Sequence, residues 1–174
     1  MKIHHFETIE STHTYLKDNY MNYEDGTVII ADYQTNGIGT HSRTWYSSKK
    51  NITMSILYKP ICSIDKLDNL TIDIANVLKE MIYDMYKIIL DIKYPNDLYL
   101  NGKKIAGILT TINTVGDKIN YLIISIGFNV NETNFPKEIE EIATSLKKEY
   151  NKDFDKEKIV EEIIEKIKIL KETI

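Results

Sequence analysis

The alternation of apolar and polar positions divides the chain into short strands and a few longer helices. Ile3 to Ile9 reads as a strand, and Glu10-Ser11-Thr12 then offers hydroxyl caps for a helix reaching about Tyr20. Thr27 to Gln34 is a β-rich run opening after Gly26, and a polar, glycine-bearing loop follows from Thr35 to about Lys50. Ile52 to Tyr58 alternates around Thr53 and Ser55 and is stopped by Pro60. Ser63 is placed to cap a long helix, in which Leu67, Leu70, Ile74, Leu78, Met81, Ile82 and Met85 recur at three and four. Ile92 to Leu100 is strand-like but broken by Pro95. Asn101-Gly102 predicts a tight hairpin joining Asp97–Leu100 to Ile105–Ile112. Val115-Gly116-Asp117-Lys118 turns the chain into Ile119–Ile126. Two charged helices are predicted at the end, about Lys137–Tyr150 and Asp155–Glu172; in the last, Ile159, Ile163, Ile164, Ile167 and Leu170 form a stripe suited to packing. The order predicts an α+β fold: a mixed, mainly antiparallel sheet with helices packed on one face.

At 174 residues the chain suits one domain, 1–174, with a full core. No apolar run approaches the roughly 20 residues of a membrane span, and Met1 to His5 carries no signal-peptide pattern, so a cytoplasmic protein is expected. Cys62 is the only cysteine, which excludes an internal disulfide and a cysteine-based metal cluster; it reads as a small packed side chain. A net charge of −4 argues against nucleic acid as the partner. Every basic residue but Arg43 is lysine, and only a guanidinium gives a planar, bidentate grip on phosphate or carboxylate.

Three segments carry candidate chemistry. In Gln34-Thr35-Asn36-Gly37-Ile38-Gly39-Thr40-His41-Ser42-Arg43-Thr44-Trp45, two glycines let backbone amides approach an anion, and the lone arginine and lone tryptophan follow. An ordinary inter-strand loop would show as much, and the pattern is neither a Walker loop nor a dinucleotide fingerprint. In Lys93-Tyr94-Pro95-Asn96-Asp97, followed by Lys104-Ile105-Ala106-Gly107-Ile108-Leu109, a proline interrupts a strand run. Such a proline marks an edge, a bulge or a ligand site. Lys93 stands where it can meet a developing negative charge, and Asn96 and Asp97 offer oxygens to a magnesium–phosphate complex. A surface lysine beside a plain turn explains the same residues. Gly127-Phe128-Asn129-Val130-Asn131 ends an apolar strand, where asparagines make turns or meet a ligand.

Together and in this order, with Glu10-Ser11-Thr12 before them and Ala143-Thr144-Ser145-Leu146 after, these segments resemble the catalytic domain of biotin–protein ligases, whose fold is shared with lipoate ligases. The resemblance implies ATP-dependent activation of biotin to biotinyl-5′-AMP, then transfer to a lysine of a biotin carboxyl carrier protein domain. It implies biotin, ATP and Mg2+ as the small molecules, the metal entering on ATP with no protein metal site. It places Ser11, Thr12, His13, Gln34, Gly37, Ile38, Gly39, Thr40, Lys93 and Gly107 around biotin, with Ser11, Thr12 and Gln34 on the ureido ring. Arg43, Trp45, Asn96, Asp97, Lys104, Asn129 and Asn131 fall to ATP, and Lys93 and Arg43 to catalysis, Lys93 bridging the biotin carboxylate and the α-phosphate. The other histidines are read as structural.

The departures from the family pattern are as informative. The family loop carries arginine at the positions of Ile38, Thr40 and His41, and glycine at Ser42; here Arg43 alone remains, so leakage of the acyl adenylate is expected. His13 stands where asparagine is usual, and Tyr94 where tryptophan is. No helix-turn-helix precedes the matching segments and no C-terminal barrel follows Glu172 in this sequence, so a catalytic domain without a repressor function is expected. Neither a nucleic-acid nor a membrane partner is expected, and a homodimer is left open. The alternatives are a lipoate or octanoate ligase and a non-catalytic biotin-binding protein.

Overall fold

In the computed structural model, residues 1–40, 43–59 and 63–173 are described. Pro60, Cys62, His41 and Ser42 lie outside them, and with them the readings of a strand stop, a packed thiol and part of the loop. The strands are β1 (Ile3–Ile9), β2 (Thr27–Gln34), β3 (Ile52–Tyr58), β4 (Asp91–Lys93), β5 (Asp97–Leu100), β6 (Lys103–Val115) and β7 (Lys118–Phe128). They form one mixed sheet of seven strands in the order β1-β2-β3-β7-β6-β5-β4. Among the described residues only β1 and β2 pair parallel, and the other strand pairs are antiparallel. The helices are α1 (Thr12–Asn19), α2 (Leu70–Tyr86), α3 (Leu146–Tyr150) and α4 (Lys156–Glu172).

Pleating separates two faces with different tasks. One carries Val28, Met54, Ile56, Ile108, Ile124, Ile126 and Phe128, and α2 and α4 cover it with Ile74, Leu78, Ile82, Ile159, Ile163 and Ile167. This is the main core, and the two long helices share its face as the periodicity predicts. The short α1 departs from the single-face expectation. Its Leu16 packs on the opposite face against Ile29, Leu57 and Ile123. Beyond α1 that second face turns polar or small, with Thr53 opposite Gly127, Ser55 opposite Ser125, and Gly107 opposite Gly127. The candidate site lies on that face.

Three elements differ from their predicted form. Ser63 makes no side-chain cap; Ile64–Leu67 is a 3-10 turn and α2 starts only at Leu70. Leu67 and Leu70 are both buried, and a spacing of three suits either helix type, so periodicity alone does not separate them. The run around Pro95 is a reversal, not a broken strand: β4 and β5 pair antiparallel across a cis Tyr94-Pro95 bond. The charged stretch from Lys137 forms turns begun at Pro136, because Ala143 is drawn into a bridge with Lys104; only Leu146–Tyr150 is helical, capped by Ser145. The Asn101-Gly102 hairpin forms with both residues at positive φ. Among the described residues no helix is long and apolar enough to cross a membrane.

Candidate active site

The loop after β2 folds into a small hairpin over the polar face. Trp45 N–H donates to the Gly37 carbonyl at 2.8 Å, Ile38 bridges Thr44, and Gly39 N–H donates to the Arg43 carbonyl at 2.7 Å. Gly37 is required by space: a Cβ there would stand 2.5 Å from the Trp45 carbonyl oxygen and 2.6 Å from Gln34 Nε2. The hairpin lowers the Trp45 indole onto the sheet, where a Cβ at Gly127 would overlap it and one at Gly107 would meet it at 3.2 Å. The two strand glycines make the bed for the only tryptophan of the chain.

Two adjoining cavities share Gly39, Thr40, Trp45, Asp97 and Lys104. The first, about 430 Å³ with open solvent included, is lined also by Ser11, Thr12, His13, Gln34, Ile38, Thr53, Asn96, Gly107, Ser125 and Gly127. The second, about 900 Å³ on the same measure, adds Arg43, Tyr46, Tyr99, Asn129, Phe135 and Ile142. Its walls are an aromatic and aliphatic slot with a guanidinium at the mouth, suited to a flat base and its phosphates.

Lys104 stands at the junction. Its Nζ lies 2.8 Å from Asp97 Oδ1 and 5.6 Å from the centre of the Trp45 ring. A bulge aims it there: the register of β5 and β6 slips between Leu98 and Tyr99, and the adjacent residues Ile105 and Ala106 both turn into the core. An extra residue in a strand reverses the facing of what lies beyond it, so Lys104 emerges on the face that carries the cavities. Its backbone is fixed by bonds to the segment at Ile142 and Thr144.

Polar groups floor the first cavity. Ser11 caps α1 by accepting from Thr14 N–H, and Gln34 Oε1 accepts from Thr12 N–H at 2.7 Å. His13 is buried and bonded at both ring nitrogens, to Ser125 and Thr111. Burial, and then Lys17, push its pKa down to about 4, so the ring is neutral. Thr53 Oγ1 and Trp45 Nε1 are buried with no partner among the described residues, as donors kept for a ligand would be.

The profile of the biotin/lipoate A/B protein ligase family matches residues 5–129, which span the loop, the glycine bed and Lys104. The chain belongs to that family. Over 146 residues, 82% of this chain, it is 38% identical to the bifunctional ligase/repressor BirA of Bacillus subtilis (strain 168), covering 45% of that protein. The BirA of Escherichia coli (strain K12) is 32% identical over 127 residues, 70% of this chain and 38% of that protein. The chain thus spans under half the length of these relatives. The biotin protein ligase from Aquifex aeolicus in complex with biotin and ATP superposes with a TM-score of 0.84 at 28% identity, covering 98% of this chain and 70% of that one. The family resemblance and the mixed-sheet fold read from the sequence are borne out.

Within this ligase fold the residues singled out from the sequence do not all converge. Ser11, Thr12, His13, Gln34, Ile38, Gly39, Thr40 and Gly107 line the first cavity, with Gly37 holding the loop above it. Asn96 and Asp97 also line it, and Arg43, Trp45 and Asn129 line the second. Lys93 lines neither. It lies on the edge strand opposite Asp97, exposed, with Nζ 5.3 Å from the Tyr99 ring centre. Asn131 also lines neither cavity: its amide donates to the Phe154 carbonyl and accepts from Phe154 N–H, pinning the approach to α4. Thr53, Ser55, Ser125 and Asn51 were not singled out. Asn51 donates to Asn129 Oδ1 at 2.9 Å and so orients a lining amide. The visible signal for Thr53 and Ser55 was hydroxyl residues at a period of two inside an otherwise apolar strand, and for Ser125 a lone hydroxyl in an apolar run.

Proposed function

We propose that this domain activates biotin with ATP, forming biotinyl-5′-AMP, and passes the acyl group to a lysine of a biotin carrier domain. The observation that supports it best is Lys104 shared between a small cavity with polar side chains on its floor and a larger aromatic one. A carboxylate entering from the first and an α-phosphate entering from the second meet at a single ammonium. In the first step a carboxylate oxygen of biotin attacks the α-phosphorus and the bond to pyrophosphate breaks. Lys104 neutralises the charge that gathers between them, a role whose loss typically costs about 10²-fold or more. In the second step the carrier lysine attacks the acyl carbon and AMP leaves.

The family resemblance implies a bridging role for Lys93. The geometry favours Lys104, because Lys93 is exposed on the edge strand and lines neither cavity. Arg43 at its mouth suits the outer phosphates, and the Trp45 indole gives a flat surface for the base. Among the described residues no cluster of three acidic or histidine ligands exists. A Mg2+ ion arriving on phosphates needs only one or two protein oxygens, and Asp97 with Asn96 can supply them. When bound, the metal would offset phosphate charge. A reaction that consumes ATP is consistent with the cytoplasmic placement expected from the sequence.

Biotin is favoured over lipoate because Thr53, which lines the first cavity beside the Gln34 amide, has a buried hydroxyl with no partner among the described residues, and a dithiolane ring would leave it so. The test is to mix the protein with biotin, ATP, magnesium and a biotin-carrier domain and weigh the carrier. The expected result is a carrier heavier by one biotinyl group. A carrier lipoylated in a parallel reaction but never biotinylated would overturn the assignment, as would tight biotin binding with no pyrophosphate released.

A further inference from the structure

Behind the first cavity a hydrogen-bonded chain crosses the sheet, from Gln34 through Thr12, Ser55, Ser125 and His13 to Thr111. Its direction follows from counting protons, since each hydroxyl has one to give. The Gln34 amide is oriented by Thr12 N–H, which donates to Oε1 at 2.7 Å. Thr12 Oγ1, 3.2 Å from the same oxygen, can only donate to it. With that proton used, the 2.8 Å bond between Thr12 and Ser55 must be donated by Ser55. Ser125 must then donate to Ser55 across 2.7 Å. Ser125 has nothing left to give His13, so the 2.8 Å bond between them requires a proton on His13 Nδ1. The neutral ring carries one proton, so Nε2 is bare and accepts from Thr111 at 3.1 Å.

That polarity decides how firmly the cavity-facing Gln34 amide is held, by Thr12 N–H and Thr12 Oγ1 together. Thr12 and Ser125 both line the cavity, and each has given its proton along the chain, leaving a lone pair to offer. Gln34 has its Nε2 donors left. Acceptors beside an amide donor complement a ring that carries N–H groups flanking a carbonyl. The opposite tautomer would break the bond to Ser125 or reverse the chain, and a reversed Thr12 would give its one proton to Ser55 and release its hold on the Gln34 amide that faces the cavity. We propose that His13, held as the Nδ1–H tautomer, is a positioning residue that fixes the direction of this chain and makes the cavity selective for a cyclic urea over a dithiolane. The selectivity rests on the biotin reading above; the tautomer does not.

Two measurements test it. In protein labelled with nitrogen-15 histidine, the His13 ring, assigned by its disappearance in His13→Asn, should show Nδ1 protonated and Nε2 not. The reverse pattern overturns the proposal, and this measurement needs no variant beyond the assignment. In steady-state adenylation, His13→Leu should raise the KM for biotin about tenfold or more while kcat changes less than about threefold. His13→Asn, which can put an amide N–H where Nδ1 stood, should recover most of that KM. The KM for ATP should hold throughout. A KM unchanged in His13→Leu, or raised equally in His13→Asn, overturns the positioning role while biotin turnover by the unaltered protein leaves the activity standing. Turnover of lipoate without biotin by the unaltered protein would fell the activity and the selectivity together. If His13→Leu does not fold, the nitrogen signature and His13→Asn kinetics still decide.

Discussion

Lys104 and Lys93 are both lysines at the ends of strands in one hairpin system, yet they occupy different places. Lys104 is turned inward by the bulge at Ile105 and held 2.8 Å from Asp97; Lys93 stays on the edge strand. His13 is the other residue whose surroundings set its chemistry. Its pKa is lowered to about 4 by burial and then by Lys17, so the unfolded chain takes up a proton before the folded one does. The stability this secures is complete above the ordinary histidine pKa and drains away as pH falls toward the folded value. The loss should reach about 3 kcal/mol for a shift of this size. Denaturant melts of the protein and of His13→Asn near neutral pH and at mild acidity should show a steeper acid loss in the unaltered chain. Equal losses would contradict the account. Gly127 is a third such position. Because a Cβ there overlaps the indole, Gly127→Ala should lift Trp45 off the sheet. Its fluorescence, unmixed because no other tryptophan exists, should then shift to the red; unchanged emission would mean the ring does not rest there.

Most strand boundaries were legible because each strand faces different company on its two sides, and the apolar residues alternate or run accordingly. The Asn101-Gly102 hairpin was legible because its two positive φ values suit those residues. The bulge was not. Nothing in Lys103-Lys104-Ile105-Ala106 says that two neighbours share one face, and with strict alternation Lys104 would point into the core. The resemblance gave the bridging role to Lys93 and put Lys104 with ATP, and nothing in the residue order marked Lys104 as the one turned to the junction of the two cavities. Asn129 and Asn131 were likewise indistinguishable until one was found lining the cavity and the other bound to Phe154. Asn131→Ala should therefore lower stability by about 1–3 kcal/mol, since it leaves two backbone groups at Phe154 without their partner. The KM values for biotin and ATP should not change. A raised KM for ATP with unchanged stability would return Asn131 to the site.

The whole molecule divides its labour between the two faces of one sheet. α2 and α4 bury the apolar face and supply the packing that holds the strands in register. The other face is shared between α1, which anchors the polar floor, and the loop hairpin, which carries Trp45 and Arg43 over it. A rigid sheet below and a loop above is a suitable frame for holding two reactants in line, because reaction rate depends steeply on their alignment. The cavity-lining residues follow this division, and Lys104 stands where the two cavities meet. Biotin-dependent exchange of labelled pyrophosphate into ATP isolates the step that Lys104 is assigned. Lys104→Gln should slow that exchange by about 10²-fold or more, and Lys93→Gln far less. Exchange that survives in Lys104→Gln but collapses in Lys93→Gln would contradict the account.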